Sequence, residues 1–231
     1  MMPTSFQIAI DGPVAAGCST VARLVARRLN FLYVDTGAMY RMAALLALRN
    51  RVAAEDEAAV AALVSEAKMN LRNPTAKEQD GRLITVLLNE EDVSWLIRTE
   101  KINEIVPTVA SHSKVRKLLV KKQQKIAEQT DVVMEGRDIT YRVLPEAQLK
   151  IYLTASEIVR AKRRHLQKQS KGLDLSFEEI YQRLLKRDKQ DTEREVDPLK
   201  IVDDAWVIDT SDLQINQVVD LVEAKVKAMR E

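Results

Sequence analysis

Five short apolar runs punctuate the chain: Phe6 to Ile10, Phe31 to Val34, Val132 to Met134, Lys150 to Leu153 and Ala205 to Ile208. Each is strand-length, and the stretches between them carry apolar residues at helical spacing. In the last stretch Ile215, Val218, Val219, Val222 and Val226 fall on one stripe, the pattern of a helix buried along one side. Strands that alternate with helices predict an α/β chain with a parallel sheet, because parallel neighbours need a long crossover between them.

Two stretches break the alternation. From about residue 55 to 125, helical patterns flank a short polar-apolar segment, Arg82 to Leu88, with Asn73-Pro74 and Asp80-Gly81 as turn signals. That region is expected to be an inserted subdomain, leaving residues 1–54 and 126–231 as the core. The second break, residues 167–176, is polar, holds Lys171-Gly172 and separates two arginine-rich helices, as a short mobile lid would.

At 231 residues and 46% hydrophobic, the chain can bury a substantial core. Its 36 Lys+Arg against 34 Asp+Glu leave a formal charge of +2, so no global field points to a nucleic-acid partner. The lysines around Lys121 and Lys122 are not interleaved with aromatic residues and read as a solvated helix face. One cysteine cannot form an internal disulfide, and MMPTSFQIAIDG lacks the basic segment and apolar run of a secretion signal. No apolar run approaches the roughly 20 residues that span a bilayer. A cytoplasmic protein, off the membrane, is expected. Trp95 and Trp206 are expected to pack, and His112 and His165 to lie on polar helical surfaces.

Chemistry concentrates where strands end. The segment QIAIDGPVAAGCST leads from a strand into a small-residue turn and then a helix, with Gly12 and Gly17 separated by four residues. Such spacing lets backbone N–H groups curl round a phosphate at a helix N-terminus, with Ser19 offering its hydroxyl to Mg²⁺. A glycine pair alone would equally fit an ordinary turn. Cys18 stands where this loop pattern has a lysine that reaches the β- and γ-phosphates. A thiol is mostly uncharged at neutral pH and cannot replace an ammonium. A comparable cation, the arginine finger, is worth about 10³ to 10⁵ in rate, so phosphoryl transfer is expected to be impaired unless another cation substitutes. Arg142, Arg160 and Arg164 are the candidates by position. No Cys-His-Asn arrangement suggests a nucleophilic role for Cys18.

Three further clusters carry charge. In VDTGAMYR, Asp35 and Thr36 end the second strand and Arg41 follows on the next helix. Ligands of open α/β sheets bind at that edge. VVMEGRD ends a strand with Arg137 and Asp138. KRDKQDTER sets Arg187, Asp191 and Arg194 at spacings of four and three, hence on one helical face, which would grip a substrate or form a solvated salt-bridge surface.

Together, IAIDGPVAAGCST, DTGAMYR, EGRD, KRDKQDTER and REVDPLK resemble the bacterial cytidylate kinases, over nearly the whole chain and in the same order. The resemblance implies a P-loop kinase three-layer fold with a five-stranded parallel sheet. Residues 55–125 would be the inserted nucleoside-monophosphate-binding subdomain and about 167–176 the lid. It implies a monomer that moves the γ-phosphoryl group of ATP onto CMP or dCMP with Mg²⁺, in line and without a covalent intermediate, and that needs no nucleic-acid polymer. By motif, Gly12, Pro13, Val14, Ala15, Ala16, Gly17, Cys18, Ser19 and Thr20 would hold ATP. Arg41, Arg137 and Arg194 would clamp the acceptor phosphate. Arg187 and Asp191 would meet the sugar, and Arg116 and Asp138 the base, with Thr36 beside the acceptor. Arg160, Arg163 and Arg164 would approach the donor phosphates, which makes Arg137, Arg194, Arg164 and Arg160 the catalytic set. The chain departs from the family again after Asp138, where Thr140-Tyr141 replace a common glycine-threonine pair and Arg142 follows. Cys18 leaves an alternative open, a catalytically weak or inactive nucleotide-binding protein of the same fold.

Overall fold

A computed structural model describes residues 5–78, 80–170, 172–173 and 175–230. Lys171, half of the turn signal in the expected lid, lies outside the described residues. All five apolar runs are strands: β1 (Gln7–Asp11), β2 (Leu32–Asp35), β6 (Val132–Gly136), β7 (Leu149–Thr154) and β8 (Trp206–Asp209). They form one sheet in the order β2-β6-β1-β7-β8. The parallel register sets Ile8 opposite Leu149 and Asp11 opposite Tyr152, and Ile151 opposite Trp206. β1 is buried along its whole length, which is why it reads as a continuous apolar run rather than an alternating one.

The described chain divides into two compact units, each taken by itself below. The first holds Met1–Gln7 and Asn30–Met134. There α2 (Thr36–Arg49) packs against α3 (Glu57–Glu66), α4 (Glu100–Ser111) and α5 (Ser113–Ala127). A small antiparallel sheet orders β3 (Met69–Arg72), β4 (Thr85–Leu88) and β5 (Glu91–Asp92). Its core includes Tyr33, Met39, Ile84, Ile97 and Leu119, all at most 2% exposed. Trp95 is not the packing residue expected: it is 51% exposed, and its indole N–H donates to Asp80 at 2.9 Å, so the polar handle decides its place.

The second unit holds Ile8–Leu29 and Glu135–Glu231. Helix α1 (Cys18–Leu29) packs on α8 (Ile215–Arg230), whose Val218, Val219, Val222 and Val226 are fully buried. Helices α6 (Glu157–Gln169) and α7 (Phe177–Glu193) pack on each other. Helix α7 starts with a reciprocal cap: the Ser176 hydroxyl accepts from Glu179 N–H while the Glu179 carboxylate accepts from Ser176 N–H. The half-buried His165 of α6 meets Phe177 nearly at right angles, ring centroids 6.3 Å apart.

Among the described residues no helix is long and apolar enough to cross a membrane. Because Ser176 satisfies an orphan amide of the helix that carries Arg187 and Asp191, Ser176→Ala is expected to lower unfolding stability by about 1 kcal/mol, measured by denaturant titration.

Candidate active site

The phosphate loop lies between β1 and α1. Ala15 at φ 63° and Gly17 at φ 105° both stand in the left-handed region, which bends the loop sharply before the first turn of α1. Gly12 is demanded by space: a Cβ there would sit 2.2 Å from the Leu153 carbonyl and 2.8 Å from Cys18 Sγ. Two carbonyls that would repel a phosphate are tied back. Arg160 donates to Val14 O at 3.1 Å, and the Thr210 hydroxyl donates to Ala16 O at 3.1 Å. Arg163 in turn donates to the Thr210 hydroxyl at 2.9 Å.

Cys18 is the first residue of α1 and only 5% exposed. Burial, then the Glu135 charge, pushes its thiol up to about 12, against a smaller pull from Arg137. At neutral pH it is a small uncharged group in the place of an ammonium.

Beside it, the Ser19 hydroxyl donates to Glu135 at 2.8 Å. A hydroxyl and a carboxylate held together are hard oxygen donors, suited to a Mg²⁺ ion that keeps most of its water and leans on substrate phosphates. Among the described residues no cluster of three or more His, Cys, Asp or Glu could hold a metal ion.

The acidic and basic residues of the EGRD and KRD motifs meet in one network. Asp191 is 3% exposed and accepts from Arg137 Nε at 2.7 Å while pairing with Arg187 Nε at 3.1 Å. Burial opposes its charge, yet Arg137 and Arg187 outweigh that and hold its carboxyl below the usual range. Arg137 likewise stays charged: Asp191, with the neighbouring Glu135, overrides the cost of burial and raises its pKa. The helical-face reading of this cluster stops one residue short. α7 ends at Glu193, and Arg194 is its C-cap at φ −64°, ψ 142°. Arg194 Nε donates to Asp197 O at 2.7 Å, and its Nη2 lies 3.8 Å from Asp138 Oδ1.

The remaining candidates belong to the first unit. Asp35 caps α2 by accepting from Ala38 N–H at 3.1 Å and pairs with Arg98 at 3.1 Å. Thr36 is buried as the first residue of α2. Arg41 donates to Asn103. Arg116 is 2% exposed, donates to Ala110 O at 3.1 Å, and sits 5.3 Å above the Tyr40 ring.

Of the arginines suggested for the donor phosphates, Arg160 is 4% exposed and shared among Ala155 O, Val14 O and Asp188, the last at 2.6 Å. Arg164 is half-buried and donates to Gln167 at 2.6 Å. Arg142 pairs with Asp197 at 3.4 Å. The arginine whose charge acts on Cys18 is Arg137, less strongly than the opposing charge of Glu135. Sequence reasoning passed over Glu135, Asp188 and above all Asp11. Asp11 is fully buried and accepts from Ile139 N–H, Thr140 N–H and the Thr140 hydroxyl at 2.9, 2.8 and 2.7 Å. Its place at a strand end just before the loop glycine was the available signal.

A phosphate cradle at a helix N-terminus, a hydroxyl–carboxylate pair and a charged arginine network define a nucleotide-binding phosphotransferase. The comparisons narrow this. The family model for cytidylate kinase matches residues 8–228. A cytidylate kinase from Bacillus cereus is 43% identical over 228 residues, covering 99% of both chains. Another, from Carboxydothermus hydrogenoformans, is 46% identical over 213 residues, 92% of this chain and 93% of its own. An uncharacterized protein from Eubacterium ventriosum has a similar fold, with TM-score 0.52 and 10% identity over 96% of this chain and 99% of that one. The chain belongs to the cytidylate kinase family.

A thiol raised this far keeps its proton in the folded state and loses it in the unfolded chain near pH 9, so its contribution to stability falls as pH rises through that range toward 12. At pH 8, Cys18 is expected to react with a thiol-specific reagent at least about a hundredfold more slowly in the native protein than in denaturant, followed by absorbance.

Proposed function

We propose that the protein transfers the γ-phosphoryl group of ATP to CMP or dCMP, giving CDP or dCDP. The observation that carries this reading is the Arg137–Asp191–Arg187 network in the same unit as the phosphate loop, together with membership of the family. ATP is taken by Gly12, Pro13, Val14, Ala15, Ala16, Gly17, Cys18, Ser19 and Thr20, chiefly through backbone N–H groups and the positive end of α1. Ser19 and Glu135 would hold Mg²⁺, which when bound neutralises charge on the phosphate oxygens.

Arg41, Arg137 and Arg194 are assigned to the acceptor phosphate, since forked guanidinium groups match its oxygens. Asp191, with both oxygens on arginines, holds Arg137 and Arg187 in place; a sugar hydroxyl then meets Arg187 and the rim of that pair. Asp138 and Arg116 are assigned to the base, Asp138 accepting from the exocyclic amino group as carboxylates do from cytosine. Asp35 and Thr36 flank the acceptor. Arg160 braces the phosphate loop through Val14 O, so its part in transfer is to fix the cradle, while Arg164, half-buried on the same helix, is assigned to the donor phosphates. With Cys18 neutral, Arg137 is the cation that partly offsets the missing lysine. We place the reaction in the cytoplasm, with the protein as a monomer.

A second reading, a nucleotide-binding protein without useful transfer, is favoured by Cys18 alone. A coupled ADP-release assay at saturating MgATP separates them. This chain is expected to turn over CMP and dCMP well ahead of UMP, and Cys18→Lys to raise that rate by about 10³-fold. Activity only in the lysine variant establishes the second reading, and no activity in either overturns both. Asp138→Ala is expected to abolish the preference for CMP over UMP; an unchanged ratio contradicts the base assignment.

A further inference from the structure

The segment that replaces the family's glycine-threonine pair is a short π-helical turn, Ile139–Val143. Its side chains reach the loop after α7. The Tyr141 hydroxyl donates to Pro198 O at 2.6 Å, and the Lys200 ammonium lies 4.2 Å from the Tyr141 ring centroid. Arg142 Nε is 3.4 Å from Asp197 Oδ1. The loop so held includes Asp197 in the left-handed region at φ 49°, a turn conformation that aspartate tolerates better than most residues. Leu199 N–H donates to Asp191 O at 2.7 Å, fixing the far side of the same loop to α7.

Asp197 is where this matters. Its carbonyl accepts both from Nε and from Nη2 of Arg194. Arg194 stands past the end of α7, so its direction is set by what it touches, the Asp197 carbonyl foremost, with Asp138 Oδ1 3.8 Å from its Nη2. Neither a glycine nor the short side chain of a threonine at position 141 could reach Pro198 O or offer a ring to Lys200.

We infer that Tyr141, with Arg142 and Lys200, positions Arg194 for the acceptor phosphate by clasping residues 194–200. These are positioning residues, acting through the Asp197 carbonyl. A preset guanidinium loses less freedom when phosphate arrives, and so binds it more tightly. The opposite end of the turn is bonded to Asp11, the residue before the phosphate-loop glycine, through Ile139 and Thr140. The clasp therefore rests on the strand that also presents the donor loop. This inference rests on the assignment of Arg194 to the acceptor phosphate.

The test is calorimetric titration of CMP, and separately of MgATP, into the full chain and into Tyr141→Phe, Arg194→Ala and the double variant. Loss of one hydrogen bond predicts CMP binding about fivefold weaker in Tyr141→Phe, with MgATP affinity unchanged. The double variant should bind CMP no worse than Arg194→Ala alone, since the clasp acts only through that arginine. Lys200→Met, which keeps the stem and removes the charge above the ring, should repeat the pattern more weakly. Unchanged CMP affinity in Tyr141→Phe, an effect fully additive with Arg194→Ala, or equal weakening of MgATP overturns the inference. If Arg194→Ala itself leaves CMP binding intact, the phosphate assignment falls and takes the inference with it.

Discussion

The carboxylate of Asp11 is the constraint on which the second unit turns. It is fully buried at the end of β1, and burial pushes its carboxyl up to about 6, against the pull of its three hydrogen bonds. A buried carboxylate survives only where donors surround it. Those donors come from a single turn, Ile139 and Thr140, so the price of burying the charge is met by fixing that turn. One residue further on, Gly12 begins the phosphate loop; two residues before Ile139 stands Arg137. Donor loop and arginine network thus share one anchor.

Around that anchor the charges are arranged to stay charged. Asp191 gives one oxygen to Arg137 and the other to Arg187; both arginines favour its ionised form, and it in turn favours the charged form of Arg137. Removing one member of such a buried pair leaves an uncompensated charge, which costs far more than an exposed pair is worth. Behind the loop, Arg160 and Thr210 engage the Val14 and Ala16 carbonyls. Electrostatic preorganisation of this kind does most of the work in phosphoryl transfer, where little covalent chemistry falls to the protein. Replacing the loop lysine by Cys18 removes one cation from a site otherwise built to attract phosphate. The backbone cradle, set by Ala15, Gly17 and the space kept open at Gly12, does not depend on that side chain.

Much of this was legible in the sequence. The five apolar runs were strands to within a residue or two at each end; β1 and β6, buried throughout, leave a continuous apolar trace, while β7 and β8, partly exposed, were legible from their short runs of aliphatic and aromatic residues. The α8 stripe was legible because its buried valines recur at helical spacing. The small sheet was only half visible: β4 has an apolar pattern, whereas β3 and the two-residue β5 are too short and too polar to announce themselves. Arg194 matched a helical spacing yet sits beyond the helix end, since spacing says which residues share a face only while the helix continues. Trp95 failed because composition does not reveal that its indole N–H finds Asp80 at the surface. Asp11 and Glu135 lay inside quoted motifs without being chosen, their importance arising from partners more than a hundred residues away in sequence.

The central claim is that backbone and helix N-terminus, rather than a lysine, hold the donor nucleotide. Equilibrium binding of MgATP to this chain and to Cys18→Lys tests it most directly. The account predicts that the chain as it stands binds MgATP measurably, and that the lysine tightens binding by no more than about tenfold, or 1.4 kcal/mol. Binding that appears only once the lysine is restored would contradict it.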